Sequence, residues 1–84
     1  PMASLTKLMT AIIFVENCKM NESIDVDEKA CFIGGSEVGL RPNTKITAKN
    51  LLYGMLLPSG NDAATQIALH LSGSVENFAK LMNI

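Results

Sequence analysis

Tryptophan is missing from this chain, histidine and arginine occur once each, as His70 and Arg41, and cysteine occurs twice. With a single histidine and no C-x-x-C pair, no convincing zinc set can be assembled, and neither a metal nor a cofactor is expected. Cys18 and Cys31, thirteen positions apart, read as free thiols rather than as a disulfide or a metal pair. An excess of charge is also lacking. Seven Lys and Arg against eight Asp and Glu give a net charge of −1 with the signs interspersed, which argues against a nucleic-acid surface or a polybasic membrane patch. The longest apolar stretches, residues 11–15 and 51–57, fall well short of the ~20 residues a membrane span requires. No signal peptide is visible. The abrupt opening, Pro-Met-Ala-Ser directly before an apolar helix, reads as a piece of a longer protein, so that lack does not locate the parent.

What is present is a chain of 84 residues, 48% of them hydrophobic, enough for one small unit with a marginal core. Residues 4–18 form a helical run without Gly or Pro, apolar on nearly every side, with only Thr6, Lys7 and Thr10 polar before Glu16. A helix of that kind belongs in the middle of a larger structure. Residues 23–27 alternate polar and apolar as a half-buried strand does, and Lys45-Ile46-Thr47 is expected to pair with it across a Gly-rich loop. Thr47 is a good N-cap for a helix that Pro58 stops. A further helix begins near Asp62, an acid suited to a helix N-terminus, buries Ala63, Ala64, Ile67, Ala68 and Leu71, and ends at Gly73. Ser74 caps the last helix, whose inner face is Val75, Phe78, Ala79 and Met82. The fold class expected is mainly α with a small two-stranded β ribbon.

Two short motifs carry chemistry. In Ser4-Leu5-Thr6-Lys7, positions i and i+3 share a helix face, so Lys7 can approach the Ser4 hydroxyl. Ser4 lies at the helix N-terminus, whose dipole favours negative charge developing on the hydroxyl or on an attacked carbonyl. A lysine in an apolar cleft is expected to have a lowered pKa, and neutral Lys7 can then take the serine proton as general base. Taken alone, S-x-x-K is a weak signal, because a Ser N-cap followed by a surface lysine gives the same letters. Ser59-Gly60-Asn61 strengthens it: this S-x-N triad sits on a tight turn between two helices, where both side chains can enter one cleft. Ser59 would relay a proton between Lys7 and a leaving amine. Asn61 would bind the substrate's amide and help hold Lys7.

With these residues in place, the chain resembles the serine D-alanyl-D-alanine carboxypeptidases, the low-molecular-mass penicillin-binding proteins. Residues 2–11 look like their nucleophile segment, and residues 51–64 resemble their second motif with its flanks. Gly35-Ser36 through Leu40 and Thr47 match the connecting region, and Gly73-Ser74 with Phe78 and Met82-Asn83 match the family's segment beyond the second motif. The resemblance runs in order through essentially all 84 residues. It implies that residues 1–84 are a partial catalytic domain, the helical part of the β-lactamase/transpeptidase-like fold. It also implies that Ser4 attacks the carbonyl of a terminal D-Ala-D-Ala on a peptidoglycan stem peptide, D-Ala leaves, and water releases the acyl-enzyme. β-Lactams would acylate the same serine, in a parent lying outside the cytoplasm, in the periplasm or on the outer face of the membrane. The third motif of such enzymes, K-T-G, is absent: none of Lys7, Lys19, Lys29, Lys45, Lys49 and Lys80 is followed by Thr-Gly or Ser-Gly. In the family that strand supplies one of the two oxyanion amides, the other being that of Ser4, so the 84 residues alone are expected to be inactive.

Two rival readings differ in class. A class A-like β-lactamase shares S-x-x-K and an S-D-N triad, but Gly60 in the middle of the triad and the Asn61-Asp62-Ala63-Ala64 continuation favour the carboxypeptidase. A non-catalytic helical module would use the uncovered apolar helix to pair with a copy of itself. The remaining polar residues get plain expectations: His70 on a helix surface or partly buried, Tyr53 packed, Arg41 in a loop salt bridge, and the five methionines as core filler.

Overall fold

The computed structural model describes residues 4–81, with only the backbone described for Ser4, Val75, Ala79 and Leu81. Helix α1 spans Ser4–Asn17, α2 Ala48–Leu56, α3 Asn61–Ser72 and α4 Val75–Leu81. Strands β1 (Ser23–Asp25) and β2 (Lys45–Thr47) form an antiparallel ribbon in which Ile24 faces Ile46. Mainly helical with one small ribbon, this is the class the sequence pattern predicts. The inner-face assignments of Val75, Ala79 and Met82 lie outside the described side chains.

Local chemistry sets the boundaries. Thr47 accepts a hydrogen bond from the Asn50 amide and caps α2. Gly73 closes α3 in the left-handed conformation (φ 81°), and Ser74 Oγ accepts from the Asn77 amide. The strand expected over residues 23–27 stops at Asp25, although the Val26 amide still reaches Thr44 O. Asp27 is diverted: its amide donates to buried Gln66 at 2.6 Å, and its carboxylate caps a 3₁₀ turn over Glu28–Ala30.

Helix α3 lies at the centre, packed against α1, α2, α4 and the 3₁₀ turn. Ala63, Ala64 and Ala68 are fully buried, and side chains this small let neighbouring helices come close. Phe14, Leu51, Met55 and Ile67 fill the main core, with Ile24 and Val26 from the ribbon side. Phe78 of α4 packs on Ala68 in a smaller cluster flanked by Ile13 and Leu71.

Helix α1 is turned against its composition. Lys7, Thr10, Ala11 and Phe14, spaced at i, i+3, i+4 and i+7, face inward. Leu5, Leu8 and Ile12 are 71%, 56% and 60% exposed, whereas Lys7 is only 6% exposed. Hydrophobic burial alone would turn this helix the other way, so the polar contacts of Lys7 must reward its orientation. The outward apolar side continues through Met9 and Val15, a larger patch than scattered surface leucines.

Candidate active site

Lys7 ends in two hydrogen bonds. Its Nζ donates to the backbone carbonyl of Ser59 at 2.7 Å and to Asn61 Oδ1 at 3.0 Å, tying α1 to a turn 52 and 54 positions later in the chain. A lysine can only donate, so the Asn61 amide must present its oxygen here, and its Nδ2 turns to Gly34 O at 3.3 Å. Ser4 begins the same helix one turn before Lys7, and its side chain lies outside the described residues. The structure therefore joins Lys7 to Ser59 and Asn61. What Lys7 holds on Ser59, however, is the backbone carbonyl.

The turn that makes this possible is a consequence of Pro58. Proline has no amide to donate to Gly54 O four residues back, and the Gly60 amide takes that carbonyl instead at 3.0 Å. Between them Ser59 adopts φ 56°, an uncommon conformation for a residue with a side chain, and such strain persists only where its surroundings enforce it. A cavity of about 210 Å³ opens beside the turn, lined by Lys7, Leu8, Met55, Leu56 and Ser59.

The loop before β2 completes the site, a role that the sequence does not reveal. Asp62 is more than a helix N-terminal acid. Fully buried, it accepts from the amides of Val38 (2.9 Å), Gly39 (2.8 Å) and Leu40 (2.9 Å) as well as from Ala63 of its own helix (2.8 Å). Burial pushes its carboxyl pKa up, but the amides of Leu40, Val38, Ala63 and Gly39 outweigh it and hold the pKa below the ordinary value. Ser36 O accepts from the Asn61 amide at 2.6 Å, so this loop grips the S-x-N turn from two sides. The only sequence signal for this is the set of glycines at 34, 35 and 39, all with positive φ.

Gly35 is the tightest point. A Cβ there would sit 2.7 Å from Asn61 Nδ2, on a residue with φ +68°. Gly35→Ala is expected to displace the Asn61 amide and slow penicillin acylation of the full-length protein by up to about 10²-fold, the cost of a small misplacement at a reacting centre. An unchanged acylation rate would show that Asn61 need not keep this position.

Other expectations change in detail. Arg41 forms no ion pair among the described residues, and its guanidinium lies 5.8 Å from the centre of the Phe32 ring. Tyr53 is 49% exposed, with the Lys49 ammonium 5.8 Å from its ring centre, so it packs less than predicted. Met55 is fully buried core, but Met9 is exposed. Cys18 is half-buried and Cys31 buried, and neither is in a disulfide. Burial and the Asp62 and Asp27 carboxylates raise the Cys31 thiol pKa, and burial and Glu22 raise that of Cys18.

An S-x-x-K helix is thus tied through its lysine to an S-x-N turn. The chain belongs to the D-alanyl-D-alanine carboxypeptidase family, whose pattern matches residues 1–84. It is 40% identical over 86 residues to the D-alanyl-D-alanine carboxypeptidase DacF of Bacillus subtilis (strain 168), covering 96% of this chain and 22% of that protein. The crystal structure of the D-alanyl-D-alanine carboxypeptidase DacD from Francisella tularensis superposes with a TM-score of 0.89 at 37% identity, over 96% of this chain and 21% of that one. Penicillin binding protein 5 from Haemophilus influenzae gives a TM-score of 0.83 at 35% identity, over 96% and 26%. The chain thus spans about a quarter of the relatives it matches.

Proposed function

We propose that this chain supplies the nucleophile, general base and S-x-N turn of a serine D-alanyl-D-alanine carboxypeptidase acting on peptidoglycan stem peptides outside the cytoplasm. The Lys7 bridge to Ser59 O and Asn61 Oδ1 carries this reading, because it unites two motifs that are weak apart. Ser4 attacks the carbonyl between the two D-alanines, and its proton passes to Lys7. The amide of Ser4, at the positive end of α1, stabilises the oxyanion. The Ser59 hydroxyl, turning to Lys7, relays the proton to the nitrogen of the departing D-Ala, and water then hydrolyses the ester on Ser4. β-Lactams present the same carbonyl in a ring and acylate the same oxygen.

The 84 residues contain no K-T-G, so of the two oxyanion amides that the family resemblance implies they would supply only that of Ser4. Loss of a single oxyanion donor costs about 10²–10³ in rate, so the isolated 84-residue piece is expected to release no measurable D-Ala. The uncovered side of α1 is expected to make that piece self-associate. The deciding experiment gives the full-length protein and this piece a peptide ending in D-Ala-D-Ala and measures free D-Ala. Release by the full-length protein alone supports the reading. No release by the full-length protein, with rapid penicillin hydrolysis in its place, would favour a β-lactamase.

A further inference from the structure

Far from Lys7, the fold brings together three potential metal ligands from three separate segments. Cys18 follows the last residue of α1, Glu22 lies on the turn leading into β1, and His70 is in the last turn of α3. Their donor atoms, a thiol sulfur, a carboxylate oxygen and an imidazole nitrogen, all lie within 4.8 Å of one another. From these contacts we propose that Cys18, Glu22 and His70 bind a divalent transition-metal ion, zinc foremost, with water as the fourth ligand.

The geometry is close to what such an ion needs. Bonds of about 2.0–2.3 Å at tetrahedral angles place ligand atoms roughly 3.3–3.6 Å apart. His70 Nε2 and Glu22 Oε2 already stand 3.0 Å apart, so a small outward movement admits an ion between them. Cysteine, histidine and a carboxylate make a mixed soft and hard set suited to zinc rather than to calcium or magnesium. An adjoining cavity of about 440 Å³, lined by Ile13, Asn17, Cys18, His70 and Leu71, leaves room for the water. The Phe14 and His70 rings meet at 85° with centroids 6.3 Å apart, packing the imidazole beside this space.

The electrostatics point the same way. The site lies at the C-terminal ends of both α1 and α3, where the helix dipoles favour a cation. The Glu22 carboxylate that opposes the Cys18 thiolate in the metal-free protein attracts a dication and, with it, permits the thiolate. On binding, the sulfur–metal bond replaces the S–H bond and the proton goes to solvent. His70 Nε2, which carries the hydrogen that bonds Glu22 Oε2 in the metal-free protein, gives it up, so that the ring binds through Nε2 with its hydrogen on Nδ1. A single histidine argues against a zinc set in the sequence, but three protein ligands of mixed type suffice when water is the fourth. Eleven helical positions separate Lys7 from Cys18, about 16 Å along the helix, so this site is independent of the acyl-transfer chemistry.

The test uses the reduced full-length protein and cobalt(II), a spectroscopic stand-in for zinc. Wild type is expected to take up one equivalent of cobalt with a thiolate-to-metal charge-transfer band, which zinc then abolishes. Cys18→Ser should lose the band, and Glu22→Gln and His70→Gln should each weaken zinc binding by at least about tenfold, the lower end of what even outer-shell changes cost. Cys31→Ser should change nothing. Circular dichroism verifies that each variant is folded. No band in folded wild type, a band retained in Cys18→Ser, or one lost only in Cys31→Ser would overturn the proposal.

Discussion

Replacing Lys7 by arginine is expected to cut acylation of the full-length protein by fluorescent penicillin about 10²–10⁴-fold, the usual share of a general base. Arginine separates the two tasks of this residue. Its guanidinium can still donate to Ser59 O and Asn61 Oδ1, but it does not give up its proton at working pH and so cannot accept one from Ser4. Lys7→Met removes both tasks. It should acylate at least as slowly as Lys7→Arg and should also lose stability, because two acceptor oxygens lose their shared donor beneath the turn. Comparing acylation rates with thermal melting resolves the two contributions. If Lys7→Arg acylates within threefold of wild type, Lys7 is a structural tie and the base lies elsewhere.

Replacing Asp62 by alanine is expected to destabilise the protein by about 1–3 kcal/mol for each amide that stays buried without its acceptor. The side chain removed is fully buried and accepts from four backbone amides, three of them in the loop at Val38, Gly39 and Leu40. With that acceptor gone, the loop should loosen and release its hold on Asn61 as well. Asp62→Asn keeps one acceptor oxygen and should cost less. Denaturant unfolding of the full-length protein measures both.

The same residue makes a prediction about pH. Because the folded-state pKa of Asp62 lies below the ordinary value, its contribution is complete above the unfolded carboxyl pKa of ~3.9. That contribution drains away as the pH falls through the lower folded-state value. The stability gap between wild type and Asp62→Asn should therefore be constant near neutrality and narrow in strong acid. A gap that widens with acid would mean that the carboxylate is not held by its amides.

Much of this can be read from the residues, because local rules set it. Thr47, Gly73 and Ser74 end or begin helices by chemistry that acts within a few positions, and each sits where the sequence places it. Lys7 and the S-x-N turn are also legible, since each motif has a fixed spacing on one element. The orientation of α1 is harder. A helix apolar on nearly all sides does not announce its inner face, and the side that turns inward is the one carrying Lys7 and Thr10. The loop at 34–40 is illegible for a different reason. Its grip on Asp62 runs through backbone amides, which nearly every residue type supplies, so only the glycine conformations hint at it. The Cys18, Glu22 and His70 cluster escapes a reading of the sequence because α1 and α3 bring together residues up to 52 positions apart.

The central claim is that Ser4 is the nucleophile, activated through Lys7 on the S-x-N turn. Labelling the full-length protein with a penicillin and locating the adduct by peptide mass mapping tests it most directly. The account predicts one adduct per molecule, on Ser4, absent in Ser4→Ala and slow to form in Lys7→Arg. An adduct on Ser59 or another residue, or labelling that survives Ser4→Ala, would contradict it.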